Sequence, residues 1–255
     1  MTVTVTFAGS GDAFGSGGRF QACIHLRSAG PAGPVLLDCG ATSLPALRRT
    51  GLDPQEIRAV FVSHLHGDHF GGLPFLILDG QFSGRTEPLV VVGPPGTGQR
   101  LTTAMECLFP GSAHARRAFE VIVTECQPGQ AVTASQVEAV AFEARHPSGA
   151  PALILRLTMD GVVIAYTGDT AWTPAIAQAA AGADVLIAEA YYRHKAVPHH
   201  LRYADLAAHS RDIDARRIIL THMSADMLAH QDELRSDEGL CAYDGLAVQV
   251  KPGYP

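Results

Sequence analysis

His64, His66, Asp68 and His69 fall within six positions, in the stretch VSHLHGDHFGGL. Neutral imidazole and ionised carboxylate are the ligands that zinc and other borderline divalent ions take. The stretch follows an apolar run, Ala59 to Val62, which places it on a loop leaving a strand and on the first turn of a helix. A tight loop can aim His64 and His66 at one ion while Asp68 and His69 face a second.

Four local ligands cannot close two sites, so the rest of the chain must supply more. His146 ends VEAVAFEARH, Asp169 follows a strand-like run in VIAYTGDT, and His222 ends RIILTH. All three project from strand ends on one edge of a sheet, where loops carry function. The isolated histidines His25, His114, His194, His209 and His230 read instead as exposed or hydrogen-bonded side chains.

The elements behind these positions alternate. Strands are predicted over 3–7, 35–37, 59–62, 89–92, 121–124, 137–142, 152–157, 162–166, 185–188 and 217–220, all rich in Val, Ile and Leu. Helices are predicted over 43–50, 99–108, 174–181, 203–213 and 225–230. Asp53-Pro54 and Thr173-Pro174 look like helix starts with proline at the first position. Strands and helices alternate at both ends of the chain and strands run together in the middle. That order predicts two sheets with helices outside them, in one domain spanning residues 1–255.

Two glycine-rich stretches imitate nucleotide loops. GPPGTGQR (Gly93 to Arg100) has Gln99 where a phosphate-binding loop needs lysine and Arg100 where it needs a hydroxyl, so it reads as a turn opening a helix. GSGDAFGSGG (Gly9 to Gly18) lacks the full dinucleotide pattern and reads as a loop near the active site.

Composition bounds the rest. The 255 residues are 47% hydrophobic and 17% charged, with a formal charge of −6 and no basic block. Nucleic-acid and anionic-membrane binding therefore get no support from bulk charge. The start lacks a secretory leader pattern, and no apolar run approaches the length needed to span a bilayer. Five scattered cysteines without a C-x-x-C pair suit reduced thiols, and the expected setting is cytoplasmic.

The set His64-x-His66-x-Asp68-His69, His146, Asp169 and His222 resembles the signature of the metallo-β-lactamase superfamily over nearly the whole chain. The resemblance implies an α/β class, four-layer αβ/βα sandwich with a dinuclear site at the edge of two mixed sheets. It implies that His64, His66 and His146 bind one metal, that Asp68, His69 and His222 bind the other, and that Asp169 bridges them with a hydroxide. GSGDAFGSGGR, LLDCG, YTGDT, DVLIAEAYY and RIILTHMS further resemble the ribonuclease Z group, which includes cyclic phosphodiesterases. In that group the glutamate matching Glu189 orients a later histidine, here His200, with His199 as the alternative alignment. The catalytic residues implied are Asp68, His200 and Glu189. The cofactors implied are two divalent ions per chain, Zn²⁺ first and Mn²⁺ or Fe²⁺ otherwise, and the assembly implied is a homodimer.

From His146 to Asp169 the chain advances only 23 positions, enough for two strands and a turn but not for a tRNA-gripping arm. Phe20 replaces the asparagine usual after Arg19 in the group's first loop. With the acidic charge, these departures predict a small-molecule substrate, no membrane and no tRNA. The expected activity is hydrolysis of a small or cyclic phosphodiester. The alternatives are hydrolysis of an ester, lactone or thioester on the same metals, or a non-catalytic metal-binding or sensing protein. Phe14, Arg19, Tyr191, Tyr192, His194 and Lys195 are the candidate pocket residues.

Overall fold

In a computed structural model, which describes residues 1–234 and 239–253, the strands form two seven-stranded sheets. The first contains β1 (Val3–Gly9), β2 (Cys23–Ser28), β3 (Val35–Leu37), β4 (Ala59–Phe61), β5 (Leu89–Gly93), β6 (Val121–Glu125) and β14 (Ala247–Val250), in the order β14-β1-β2-β3-β4-β5-β6. The second contains β7 (Ala131–Ala134), β8 (Val137–Glu143), β9 (Leu153–Met159), β10 (Val162–Tyr166), β11 (Val185–Glu189), β12 (Ile218–Thr221) and β13 (Leu240–Cys241), in the order β13-β12-β11-β10-β9-β8-β7. Both sheets mix parallel and antiparallel pairs.

Three apolar layers hold the sheets and helices together. Val5, Phe7, Ile24, Leu37 and Phe61 of the first sheet meet Leu155, Leu157, Ile164, Tyr166 and Ile187 of the second in the central core. On the outer face of the first sheet lie α1 (Ser43–Arg49), α3 (Leu73–Phe82) and α4 (Thr97–Leu108), through Leu47, Ile77, Leu101 and Met105. On the outer face of the second lie α5 (Pro174–Ala180), α6 (Tyr203–Ala208) and α7 (Ala225–Ala229), through Ile176, Leu206 and Met227. The result is the αβ/βα sandwich that the sequence predicts.

Strand direction is what matters for the site. β8, β10, β11 and β12 run the same way, because β9 is antiparallel to both β8 and β10 while β10, β11 and β12 are parallel. In the first sheet β3, β4 and β5 are likewise parallel. The backbone N–H of Leu153, at the start of β9, donates to the Ser63 carbonyl beyond β4 at 2.8 Å, so the two edges meet. β9 and β10 with their turn fill the interval between His146 and Asp169.

Several elements differ from the prediction. Asp53-Pro54 opens only a 3₁₀ turn, Pro54–Glu56, with the Asp53 side chain capping Gln55. Thr173-Pro174 does open α5. The 203–213 helix stops at Ala208. α3, β2, β7, β13 and β14 are additional. α3 is apolar on several faces rather than along one stripe, so its sequence carries no helical period. β13 and β14 are short and neither belongs to a hairpin, β14 pairing with β1 and β13 running parallel to β12, so they carry little local signal.

No helix among the described residues is long and apolar enough to cross a membrane.

His25, on β2, is buried with Nδ1 lacking a hydrogen-bond partner. Burial, aided by the Arg27 charge, pushes its pKa down from 6.5 to about 4. Above pH 6.5 the ring is neutral in folded and unfolded chains alike. As pH falls below 6.5 the unfolded chain takes the proton first, so stability drops until the folded ring also titrates near pH 4. The expected loss across that window is about 3 kcal/mol. Denaturant titrations of wild type and His25→Gln through the window check this: the variant should lose distinctly less stability, and equal losses would refute the assignment.

Candidate metal centre

The His64 to His69 loop is clamped by backbone contacts before any side chain acts. Gly67–Phe70 forms α2, with the N–H groups of His69 and Phe70 donating to the His66 carbonyl at 3.0 Å. The loop after β3 zips against it: Cys39 N–H donates to the His69 carbonyl at 2.7 Å and Ala41 N–H to the Gly67 carbonyl at 3.1 Å. A Cβ on Gly40 would lie 2.1 Å from the Asp68 carbonyl oxygen, so only glycine permits this approach. Gly168 has φ 54°, and a Cβ there would lie 2.8 Å from that of Ser63, which brings the Asp169 loop beside His64.

Among the described residues three donor groups result. Asp169, Glu189, His200 and His222 make one, which shares Asp169 and His222 with another. Two sets face each other across Asp169. His64, His66 and His146 form one, and Asp68, His69, Asp169 and His222 form the other. In the first, His146 Nε2 lies 3.0 Å from His66 Nδ1. In the second, His69 Nε2 lies 3.2 Å from His222 Nε2 and 3.2 Å from Asp169 Oδ1, and Asp68 Oδ2 lies 3.2 Å from His222 Nε2. A tetrahedral ion with arms of about 2.0–2.1 Å needs donor separations of about 3.3 Å. Asp169 faces both sets: Oδ1 the second, and Oδ2, at 4.0 Å from both His64 Nε2 and His146 Nε2, the first.

The outward nitrogens decide which lone pairs point inward. His69 Nδ1 donates to Asp38 Oδ2 at 2.6 Å, which leaves Nε2 as a bare acceptor. Ser63 Oγ donates to Asp38 Oδ2 at 2.8 Å and accepts from His64 Nδ1 at 3.1 Å, freeing His64 Nε2. His146 Nδ1 donates to the His199 carbonyl at 3.0 Å, freeing its Nε2. Facing lone pairs repel unless a cation lies between them. The buried His64 Nε2 and Asp169 Oδ1, which face the donor sets, have no hydrogen-bond partner, so the donor chemistry fits divalent ions.

The protein's own charges express the same demand. Burial, then the neighbouring His69, drives His64 well below the ordinary imidazole range. Burial works against a cation on His69 and His222, yet Asp169 and Asp68 raise both, His222 to about 9. Burial also opposes ionisation of Asp68 and Asp169, but the surrounding imidazoles hold both below the ordinary carboxylate range. Without an ion, protons supply the positive charge that these carboxylates require.

Beside the bridge sits a second pair. Glu189 ends β11 and accepts from His200 Nδ1 at 2.5 Å and from the N–H groups of Thr170 and Leu201 at 2.9 and 3.1 Å. Glu189 thus pairs with His200 and not with His199, whose ring is exposed and whose carbonyl instead orients His146. Burial and then Asp169 raise the Glu189 pKa; burial opposes a charge on His200, but the Glu189 hydrogen bond raises its pKa overall. Tyr191 lies along His200, ring centroids 4.8 Å apart. Tyr192 and Lys195 continue outward from it. Arg19 is occupied, donating to the Ala242 carbonyl at 2.7 Å, His194 accepts from Arg193 Nε, and Phe14 stands exposed on its loop. That loop borders the site, since His222 N–H donates to the Ser10 carbonyl at 3.1 Å. The GPPGTGQR stretch opens α4, as its sequence predicts.

Asp38 was missed as a site residue. It is fully buried and accepts from Ser63 N, Ser63 Oγ, His69 Nδ1 and Tyr166 OH, all within 2.8 Å. The signal was present in LLDCG, an aspartate directly after a buried apolar strand. An Asp38→Asn variant should bind divalent metal about 10–100-fold more weakly. Chelator competition and metal content after dialysis measure this, and wild-type affinity in the variant would refute the role.

Comparison with known proteins gives a consistent family. A model described as "Beta-lactamase superfamily domain" matches residues 34–223. Ribonuclease Z of Methanothermobacter thermautotrophicus is 27% identical, the match covering 86% of each chain. The fold is shared with the metallo-beta-lactamase fold protein YhfI from Bacillus subtilis, at TM-score 0.78 and 19% identity over 97% of this chain and 99% of that one. It is also shared with the short form of human tRNase Z, at TM-score 0.73 and 24% identity over 96% of this chain and 98% of that one.

These likenesses overturn the expectation of a small-molecule substrate with tRNA excluded. Chains named for RNA and tRNA align along nearly the full length of this one, which has only β9 and β10 between His146 and Asp169. The physical fault in the expectation is that net charge sums the whole surface, whereas substrate meets one edge and distant charges are screened. With the domain match spanning both donor sets from Asp38 to His222, the chain belongs to the beta-lactamase superfamily and is a metal-dependent hydrolase.

Proposed function

We propose that this protein hydrolyses phosphodiester bonds using two divalent ions, with RNA as the substrate class. The observation that carries the reading is Asp169, with one carboxylate oxygen toward each donor set and the Glu189–His200 pair beside it. The ribonuclease Z and tRNase Z names of the similar proteins support RNA. His64, His66 and His146 would hold one ion and Asp68, His69 and His222 the other, with a carboxylate oxygen of Asp169 facing each set. Zinc fits the nitrogen-rich first set best. When bound, such ions supply an acidified water and neutralise charge on the phosphoryl oxygens. Five unpaired cysteines suit a cytoplasmic setting.

The chain's own residues then manage protons. Asp68, held ionised by its imidazole neighbours, accepts a proton from the attacking water. Glu189 keeps the proton on His200 Nδ1, so Nε2 is the nitrogen presented to substrate. His200, its pKa raised through Glu189, carries a proton on Nε2 and gives it to the departing oxygen as the P–O bond breaks.

Metal-loaded protein should cleave bis(p-nitrophenyl) phosphate and a tRNA precursor, and lose both activities on chelation. Failure to cleave any phosphodiester with zinc, manganese or iron loaded would end this reading. His200→Ala should lower kcat about 10²–10⁴-fold while metal content stays at the wild-type level. Full activity in that variant would remove His200 from the chemistry. Asp169→Asn should instead lose metal from both positions, read as ions per chain.

A further inference from the structure

The segment from Tyr191 to Arg202 joins β11 to α6 and forms one lip of the metal edge. Its twelve residues, YYRHKAVPHHLR, include three cations, three histidines and two tyrosines but no aspartate or glutamate, in a chain of net charge −6.

The segment is braced from behind. Tyr191 N–H donates to the Leu201 carbonyl and Tyr203 N–H to the Tyr192 carbonyl, both at 2.9 Å. Arg202 pairs with Asp205 and also donates to the His194 carbonyl at 3.1 Å. Arg193 pairs with Glu233. These partners use up two of the three cations and fix the backbone.

A run of half-buried rings, His200, Tyr191 and Tyr192, leads to the exposed Lys195. His200 and Tyr191 lie 4.8 Å apart at an interplanar angle of 30°. Tyr192 meets Tyr191 edge-on at 4.9 Å. Lys195 Nζ sits 5.0 Å over the Tyr192 ring; it is exposed and has no carboxylate partner among the described residues. The facing lip is the glycine-rich loop, bridged through Gly11 to Met223, while Ser224 N–H donates to the Tyr191 carbonyl at 3.0 Å.

We infer that this run of rings is the track for a single-stranded nucleic acid leaving the metal edge, RNA on the phosphodiesterase reading, on which that identification rests. Bases stack on Tyr191 and Tyr192, and Lys195 meets a backbone phosphate. Stacking tolerates any base because every base has a π-face, and one unpaired cation at the lip is where a polyanion gains most. Glu233, Asp205 and Asp226 lie against Arg193 and Arg202 and offset those charges, which leaves Lys195 as the outward cation of the lip. Acids farther than the Debye length of about 8–10 Å oppose it little.

The test uses metal-loaded protein and a labelled phosphorothioate RNA of about ten nucleotides, with affinity read by fluorescence anisotropy. Tyr192→Ala should raise Kd roughly 5- to 100-fold, and Tyr192→Phe, which keeps the ring, should bind like wild type. Lys195→Ala should lower the slope of log Kd against log salt by about 0.7. The track is refuted if Tyr192→Ala binds like wild type, if Tyr192→Phe loses as much as Tyr192→Ala, or if Lys195→Ala leaves the slope unchanged. Wild-type turnover of bis(p-nitrophenyl) phosphate reports separately on the phosphodiesterase reading. Diester cleavage without RNA binding overturns the track alone. Tyr192-dependent RNA binding without diester cleavage overturns the hydrolytic reading and supports the track.

Discussion

Asp38 buries a full negative charge between the two sheets and satisfies it with four donors. Two come from Ser63, at the start of the metal loop. One comes from Tyr166, the last residue of β10 in the opposite sheet, and one from the donor His69. A buried charge left unpaired costs several kcal/mol, so each donor is held to its place by the same demand. Asp38 takes a left-handed backbone, φ 59°, with its N–H bonded to the Phe61 carbonyl. His222 is also left-handed, φ 55°, with its N–H tied to Ser10. The backbone is unusual at the residues whose side chains must be aimed, and local hydrogen bonds hold it there.

Around that anchor the fold concentrates groups that repel one another. Imidazole lone pairs face each other at close range, and three carboxylates, Asp68, Asp169 and Glu189, crowd the same edge. Parallel strands make this possible. β8, β10, β11 and β12 deliver their following residues to one end of the second sheet, and β3 and β4 deliver theirs to the matching end of the first. Burial keeps water from relieving the repulsion, so the edge favours protons or divalent cations. The Glu189–His200 pair sits where that requirement ends and the accessible lip begins.

Legibility from the sequence followed distance along the chain. HLHGDH was readable because four donors within one loop and one helical turn share a neighbourhood whatever the fold does. His146, Asp169 and His222 could be proposed because each follows a run of β-branched and aliphatic residues, but their convergence depends on strand order. Asp38 lay in plain view in LLDCG, yet its partners are 25, 31 and 128 positions away, so nothing local marked it. The choice between His199 and His200 turned on a backbone reversal at His199, φ 66°, which sends one ring to solvent and the other to Glu189. Bulk acidity misled, because it averaged over the whole surface and says nothing of the charge at one edge.

The sequence by itself determined the donor types, the strand-ending positions that carry them and the two-sheet class. Those follow from side-chain chemistry and the period of apolar residues, which are properties of short segments. Tertiary structure alone decided that Asp169 divides its two oxygens between the donor sets, that Asp38, Ser63 and the His199 carbonyl choose which nitrogens point inward, and that the rings from His200 to Tyr192 line up along one lip. Each is a distance of a few Å between residues far apart in the chain. Such distances depend on how both sheets pack and where their edges meet.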